Sequence, residues 1–108
     1  MKKKKNIVRF FDLFAGIGGF REACRRFNAS KKHTDIDFES AGWCEIDKMC
    51  QNTYNANFKN GEEFFTDNIR NITLLEGEKT LNYKNCFLPQ RINAVKKNLP
   101  GFDLLFAG

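Results

Sequence analysis

The sequence predicts an α/β fold in which about four strands form a mainly parallel sheet with flanking helices. Along its 108 residues, short apolar segments that suit buried strands alternate with segments whose apolar residues have helical spacing. Glycine-rich or acidic turns lie between them, as expected of repeated βαβ units. Because ligands of such folds bind beyond the carboxyl ends of the strands, the candidate functional positions are residues 14–19, 45–47, 66–68 and 107–108.

The first strand–turn–helix unit covers about the first quarter of the chain. Ile7 to Phe14 is rich in branched and aromatic residues and suits a mostly buried strand. The segment 15–19 is a glycine-rich turn. The apolar residues after it are spaced i, i+3, i+4 and i+7, which predicts a helix packed on the sheet. These residues are Phe20, Ala23, Cys24 and Phe27.

A second unit follows a polar segment, residues 28–37, that lacks periodicity and predicts a loop. Phe38 to Cys44 reads as the second strand, and Asp47 is a candidate N-cap for the next helix. Five residues are predicted to share one face of that helix: Met49, Cys50, Thr53, Tyr54 and Phe58.

The remainder of the chain is less regular. A weaker strand is predicted around Glu63 to Ile69, and a helix from about Pro89 to Asn98. Pro100-Gly101 predicts a turn, and Phe102 to Phe106 reads as the fourth strand.

The net charge of +5 favours polyanionic partners such as nucleic acid. Part of the excess is the run Lys2 to Lys5, which is typical of a solvated terminus, so charge alone does not establish DNA binding. Arg9 and Asp12 interrupt the apolar core that a secretory signal requires, and no window approaches transmembrane length. We therefore predict a cytoplasmic protein without a membrane partner.

The four cysteines indicate neither a metal site nor a redox motif. Cys24, Cys44, Cys50 and Cys86 are irregularly spaced, and His33 is the single histidine. We predict free thiols that pack as small apolar groups.

Three strand ends carry residues that suit an adenosine ligand. The Gly16-Ile17-Gly18-Gly19 turn lets the backbone approach a ligand, although Arg21 stands where a dinucleotide fingerprint has its third glycine, which disfavours a nicotinamide cofactor. Glu45 could accept both ribose hydroxyls, or could simply begin a helix. Asp67 could accept from an adenine amino group, or could be a solvated turn residue. Together these positions favour an adenosine site.

Several of these segments resemble motifs of the DNA cytosine-5 methyltransferases, including the bacterial restriction–modification type. Residues 9–21, RFFDLFAGIGGFR, closely resemble the first motif, and residues 44–58, CEIDKMCQNTYNANF, resemble the second. Thr66-Asp67-Asn68-Ile69 is a looser match to the third, since Thr66 replaces a glycine and Asn68 an isoleucine. Residues 102–108 resemble the strand that precedes the fourth motif.

The resemblance implies the N-terminal part of a Rossmann-like S-adenosylmethionine (SAM)-dependent methyltransferase fold. It divides the chain into a basic, disordered N terminus, residues 1–6, and a partial SAM-binding domain, residues 7–108. It also implies that the enzyme methylates C5 of cytosine in a specific duplex DNA site.

The resemblance also implies a role for each residue of the cofactor site. Phe14 would stack near the adenine, and Ile46 would pack on it. Glu45 would hold the ribose, Asp67 would accept from the adenine amino group, and Asn68 would lie against the base. Asp12 would fix the loop that wraps the methionine part, whose residues are Ala15, Gly16, Ile17, Gly18 and Gly19.

The resemblance places the reactive cysteine of the family beyond Gly108, in a Phe-Pro-Cys-Gln segment. Its thiolate would add to C6 of a flipped cytosine and so make C5 nucleophilic. We therefore assign no catalytic residue and no metal ligand in this chain, and expect it to be inactive alone. Duplex DNA would be bound through a C-terminal part. The alternatives are a non-catalytic subunit of a split methyltransferase, completed by a complementary subunit, or an inactive remnant.

Overall fold

Four parallel strands form one sheet in a computed structural model that describes residues 6–30, 35–58, 63–80, 84 and 88–107. The spatial order of the strands is β3-β2-β1-β4. The strands are β1 (Asn6–Leu13), β2 (Ile36–Cys44), β3 (Phe64–Thr66) and β4 (Leu104–Ala107). The predicted α/β fold with a parallel sheet of four strands is confirmed.

Four helices accompany the sheet: α1 (Gly19–Ala29), α2 (Lys48–Asn57), α3 (Arg70–Thr73) and α4 (Pro89–Lys96). The predicted cap of α2 is confirmed, because the Asp47 side chain accepts a hydrogen bond from the Cys50 N–H. Pro89 begins α4, at a position where its missing N–H leaves no helical bond unmade.

The element bounds differ from the predicted ones in several places. Asn6, assigned above to the N terminus, is the first residue of β1, and β2 begins at Ile36, inside the predicted loop 28–37. The predicted strand from Glu63 to Ile69 is a strand over Phe64–Thr66 alone, since the chain bends at Asp67 and turns into α3. The short helix α3 was not predicted.

The two faces of the sheet carry separate apolar clusters. On one face, Trp43 of β2 stacks on Tyr54 of α2 with ring centroids 3.9 Å apart, and Ala15 and Phe58 complete that cluster. On the other face, Phe11 and Cys44 pack with Ile72 of α3. Partly buried apolar side chains surround this second cluster: Leu13, Phe64, Ile69, Val95 and Leu99.

The predicted buried face of α2 is partly wrong. Tyr54 and Phe58 are buried, but Met49 is 79% exposed and Thr53 is also exposed. The third buried residue is Gln51, whose side-chain amide donates to the Glu45 carbonyl at 2.8 Å. A polar residue therefore occupies a buried position of this helix because its amide has a backbone acceptor.

The predicted apolar stripe of α1 packs as expected at three of its four positions. Cys24 is buried, and Phe27 lies edge-on to Phe38 of β2. Phe20 stacks on Phe106 of β4 with centroids 4.7 Å apart, although its ring stays partly exposed. Ala23 is exposed, so the prediction is wrong there.

The strand order reverses at β1. The chain passes from β1 to β2 and β3 on one side of the sheet and later returns to place β4 on the other side of β1. Parallel α/β sheets bind ligands beyond the carboxyl ends of the strands at such a reversal. The turn that follows β1, residues 14–18, lies at this point.

Some sequence-based predictions concern residues outside the described ranges. These are the Lys2–Lys5 run, His33, Cys86 and Gly108. Within the described ranges, no helix has the length and apolar character needed to cross a membrane. The cytoplasmic location stays a prediction.

Candidate functional site

The carboxyl ends of all four strands lie side by side. Leu13 of β1 pairs with Cys44 of β2 and with Ala107 of β4, and Cys44 pairs in turn with Thr66 of β3. The segments that follow β1, β2 and β3 therefore leave the sheet at the same edge. The structure brings together the predicted strand-end segments 14–19, 45–47 and 66–68.

The turn after β1 has an unusual backbone. Phe14, Gly16 and Gly18 have φ angles of 55°, 58° and 94°, in the left-handed region. The Ala15 N–H donates to the Cys44 carbonyl at 2.9 Å, and the Gly18 N–H donates to the Ala15 carbonyl at 3.0 Å. A non-glycine residue at positive φ is uncommon, and Phe14 is held there by a turn that is anchored on β2.

Glu45 connects this turn to the start of α2. Its Oε1 accepts the Gly16 N–H at 2.7 Å, and its Oε2 accepts the Asp47 N–H at 2.8 Å. Its own N–H donates to the Thr66 carbonyl at 3.3 Å. One half-buried residue thus contacts the segments that leave β1, β2 and β3, and its carboxylate lies where a ligand beyond the sheet would reach it.

Exposed apolar side chains lie in the two segments that Glu45 joins. Phe14 is 54% exposed, Ile17 61% and Ile46 70%. Large apolar residues at such exposure are informative when they cluster at the ligand-binding edge of a parallel sheet. A Cβ added at Gly16 would meet no atom of the described residues within 4 Å, so the space above the turn is open.

The segment after β3 carries Asp67 and Asn68, which are held differently. Asp67 is exposed, and its Oδ1 accepts from the Asn71 side-chain amide at 3.3 Å. Asn68 is oriented instead toward the first turn of α3, where its Oδ1 accepts the Arg70 N–H at 2.9 Å. The Asp67 carboxylate therefore stays accessible to a ligand, whereas the Asn68 carbonyl oxygen already has a backbone donor.

Asp12 lies beneath the site, not at its surface. Its side chain is fully buried on the face of the sheet that α2 covers, and its Oδ2 accepts from the Tyr54 hydroxyl at 3.3 Å. Among the described residues, no donor reaches its Oδ1. Burial raises the pKa of Asp12 from 3.8 to about 6, against the opposing effects of the Tyr54 hydrogen bond and the Arg21 charge.

Arg21, Tyr54 and Glu63 extend this buried polar group. The Arg21 Nη1 donates to Glu63 Oε1 at 2.6 Å and to the Tyr54 hydroxyl at 3.4 Å. Burial opposes the charge on Arg21, but the hydrogen bonds to Glu63 and Tyr54 leave its pKa raised, so it stays charged. Burial likewise raises the pKa of Tyr54 and keeps its hydroxyl protonated. Sequence reasoning missed this group, because Arg21 and Glu63 are 42 residues apart and no local pattern links them.

The cysteines in the described ranges are not activated. Burial raises the thiol pKa of Cys24 and of Cys44, and desolvation with nearby carboxylates also raises that of Cys50. Nucleophilic cysteines have the opposite shift. In the described part of the chain, no three histidine, cysteine or carboxylate side chains converge as metal ligands would.

A comparison with known families supplies the deciding observation. The profile of the family described as C-5 cytosine-specific DNA methylase matches residues 8–108. The chain belongs to this family. The match covers nearly the whole chain, including the glycine turn, Glu45 and the segment after β3.

Two curated relatives of this methylase chain are type II methyltransferases. The chain is 44% identical over 63 residues to type II methyltransferase M.DsaV of Dactylococcopsis salina, which covers 54% of this chain and 13% of that protein. It is 42% identical over 52 residues to M.BanI of Aneurinibacillus aneurinilyticus, which covers 48% of this chain and 11% of that protein. The chain therefore matches about an eighth of the length of these relatives.

Proposed function

We propose that this chain is the SAM-binding portion of a DNA (cytosine-5-)-methyltransferase that methylates C5 of cytosine in duplex DNA. The observation that carries the proposal is the position of Glu45. Its carboxylate joins the glycine turn to the start of α2, at the reversal point of a parallel sheet, in a chain of the cytosine methylase family. When bound, SAM supplies the methyl group on its sulfonium.

The residues at the sheet edge fit the two ends of SAM. The open backbone above Gly16 suits the methionine part, with Ala15 to Gly19 wrapping it. The exposed side chains of Phe14 and Ile46 offer apolar contact to the adenine, and the Asp67 carboxylate offers an acceptor for its amino group. Asn68 would lie beside the base and contact it through its edge, since its side-chain oxygen accepts from Arg70.

Glu45 retains capacity for the ribose although both its oxygens already accept backbone hydrogen bonds. An ionised carboxylate offers about four lone-pair sites, of which the Gly16 and Asp47 N–H groups occupy two. The remaining sites can accept the ribose hydroxyls. The backbone bonds also hold the carboxylate in place before the ligand arrives, which lowers the entropic cost of binding.

In this proposal the chemistry at cytosine is supplied by residues outside the chain. The raised thiol pKa values of Cys24, Cys44 and Cys50 support this assignment, because a reactive thiolate needs a lowered pKa. The chain alone is then inactive, and duplex DNA is bound by a part that the relatives contain and this chain does not match.

Calorimetric titration with SAM tests the cofactor assignment. We expect Glu45→Gln to weaken binding by at least about tenfold, because a neutral amide loses charge-assisted hydrogen bonds to the ribose and the turn. The matched control is Glu39→Gln, an exposed position on β2, the strand that Glu45 follows. Equal affinity of the two variants would show that the ribose assignment is wrong.

An assay for cytosine methylation tests the enzymatic part and the split-enzyme alternative. The chain is assayed on duplex DNA alone and with the segment of M.DsaV that follows its matched region. C5-methylcytosine formed only with that segment supports a cofactor-binding portion that needs a complement. Methylation of adenine or of cytosine N4 would overturn the proposal, and binding of SAM with no product in any mixture would favour an inactive remnant.

A further inference from the structure

Gly18, at the end of the glycine turn, rests directly on two aromatic rings, those of Tyr54 in α2 and of Phe58 directly after that helix. A Cβ built at Gly18 would lie 2.3 Å from Phe58 Cε2 and 3.1 Å from Tyr54 Cδ2. These rings are buried, and their centroids are 5.0 Å apart. The left-handed backbone at Gly18 is therefore fitted to the surface that Tyr54 and Phe58 form.

Arg21 covers the same two rings from the first turn of α1. Its Cζ lies 5.0 Å from the centroid of Phe58 and 5.5 Å from that of Tyr54, within the range of cation–π attraction. Its Nη1 bonds to Glu63 at 2.6 Å, with 18% of the Arg21 side chain and 11% of the Glu63 side chain exposed. A planar guanidinium suits this position because it can stack on rings and donate at its edge together.

These contacts form a continuous path from β3 to the glycine turn. Glu63 precedes β3 and holds Arg21, Arg21 covers the two rings, and the rings support Gly18. The Tyr54 hydroxyl joins the path to β1, since it accepts from Arg21 and donates to Asp12. The glycine turn is consequently supported by the ring pair beneath it and by the Arg21 side chain, which follows the turn in α1.

We propose that Arg21 is a positioning residue for the cofactor loop: it holds Tyr54 and Phe58 against Gly18 and so fixes the backbone that receives the methionine part of SAM. This inference rests on the proposed SAM-binding function. Arg21 does not contact the ligand. Arg21 occupies the position at which dinucleotide-binding folds have a glycine that lets helix and strand approach closely. Here the Arg21 side chain fills that space and lies on the rings of Tyr54 and Phe58.

Different residues hold the two ends of the cofactor in this proposal. The loop contacts the methionine part, whereas Glu45 and Asp67 hold the ribose and adenine. Loss of the Arg21 guanidinium should therefore weaken SAM more than adenosine, which lacks the methionine chain and is held by Glu45 and Asp67; the Asp47 N–H still orients the Glu45 carboxylate. A residue that only stabilised the fold would weaken both ligands alike.

The first experiment measures SAM and adenosine affinity in the 108-residue chain. We expect Arg21→Met to weaken SAM by about tenfold and adenosine by less than about twofold. Arg21→Lys, which keeps the charge and the pairing with Glu63, should restore part of the SAM affinity. Arg26→Met is the matched control, because Arg26 lies on the same helix, is exposed and pairs with Glu22. SAM affinity in Arg21→Met equal to the control, or equal loss for both ligands, would overturn the proposal.

The second experiment needs no ligand. Amide hydrogen exchange should quicken at Gly16 and Gly18 in Arg21→Met, relative to the amides of β1, and stay unchanged in Arg26→Met. If the unaltered chain does not bind SAM, the proposed function fails. The exchange result then decides separately whether Arg21 supports the glycine turn. Faster exchange at both glycines supports that role, and unchanged exchange overturns it.

Discussion

The Glu45 carboxylate accepts the Gly16 N–H at 2.7 Å, across 29 residues of sequence. This bond joins the turn after the first strand to the residue that follows the second. Gly16 has a left-handed backbone conformation, with φ of 58°, and the Glu45 carboxylate accepts from the Asp47 N–H as well.

Gly18→Ala should destabilise the fold. A Cβ at this left-handed position costs roughly 1–2 kcal/mol of backbone strain, and it would also lie 2.3 Å from the Phe58 ring. Urea unfolding should therefore show a loss in the free energy of unfolding above that range. Gly19→Ala is the control, because a Cβ there meets no described atom within 4 Å and alanine favours the helix. Equal stability of the two variants would contradict the packing at Gly18.

Gly42→Ala should loosen β3. An added Cβ would lie 2.7 Å from the Phe64 carbonyl oxygen and 2.9 Å from its Cβ, so the neighbouring strand has to move. We expect a loss of about 1–3 kcal/mol in the free energy of unfolding, with faster amide exchange at Phe64 to Thr66. Gly101→Ala, where an added Cβ has open space among the described residues, should change neither measurement.

Stability should depend on the protonation of Asp12. Its pKa in the folded chain is raised from 3.8 to about 6 by burial, so the folded state holds a proton that the unfolded state releases between these values. The free energy of unfolding should accordingly fall as pH rises through this window, by at most about 1.4 kcal/mol per pH unit. The stability that the proton on Asp12 contributes is fully present below pH 3.8 and lost above about pH 6.

Asp12→Asn removes the titration while keeping the shape of the side chain. The slope of stability against pH over the same window should flatten in this variant and persist in Asp103→Asn, an exposed position directly before β4. An unchanged slope in Asp12→Asn would mean that this carboxyl titrates normally.

Much of the fold was predictable from the sequence, because it depends on local patterns. The strand-turn-helix order, the Asp47 cap and the placement of Glu45 at a strand end all follow from apolar periodicity and turn residues. The buried face of α2 was predicted in part because Gln51 is polar and shows its burial only through its bond to the Glu45 carbonyl. Met49 was placed inside because apolar character alone does not tell which side of a helix meets the sheet.

The support beneath the candidate site was not predictable. In the sequence, Arg21 indicated only that a nicotinamide fingerprint is incomplete. In the fold it pairs with Glu63 and covers the rings of Tyr54 and Phe58. Such a contact depends on how α1, α2 and β3 meet, and no spacing along the chain encodes it. Asp12 was expected to fix the loop, and the sequence did not predict that its carboxylate lies on the buried face of the sheet and accepts from the Tyr54 hydroxyl.

The most direct test of the account is an amide NMR titration of the chain with SAM and, separately, with a nicotinamide dinucleotide. We predict that SAM shifts the amide signals of Gly16, Ile17, Gly18 and Asp67, while those of α4 stay in place and the dinucleotide changes none of them. Signals at the turn that respond to the dinucleotide alone, or that do not respond to SAM, would contradict the assignment of this sheet edge as a SAM site.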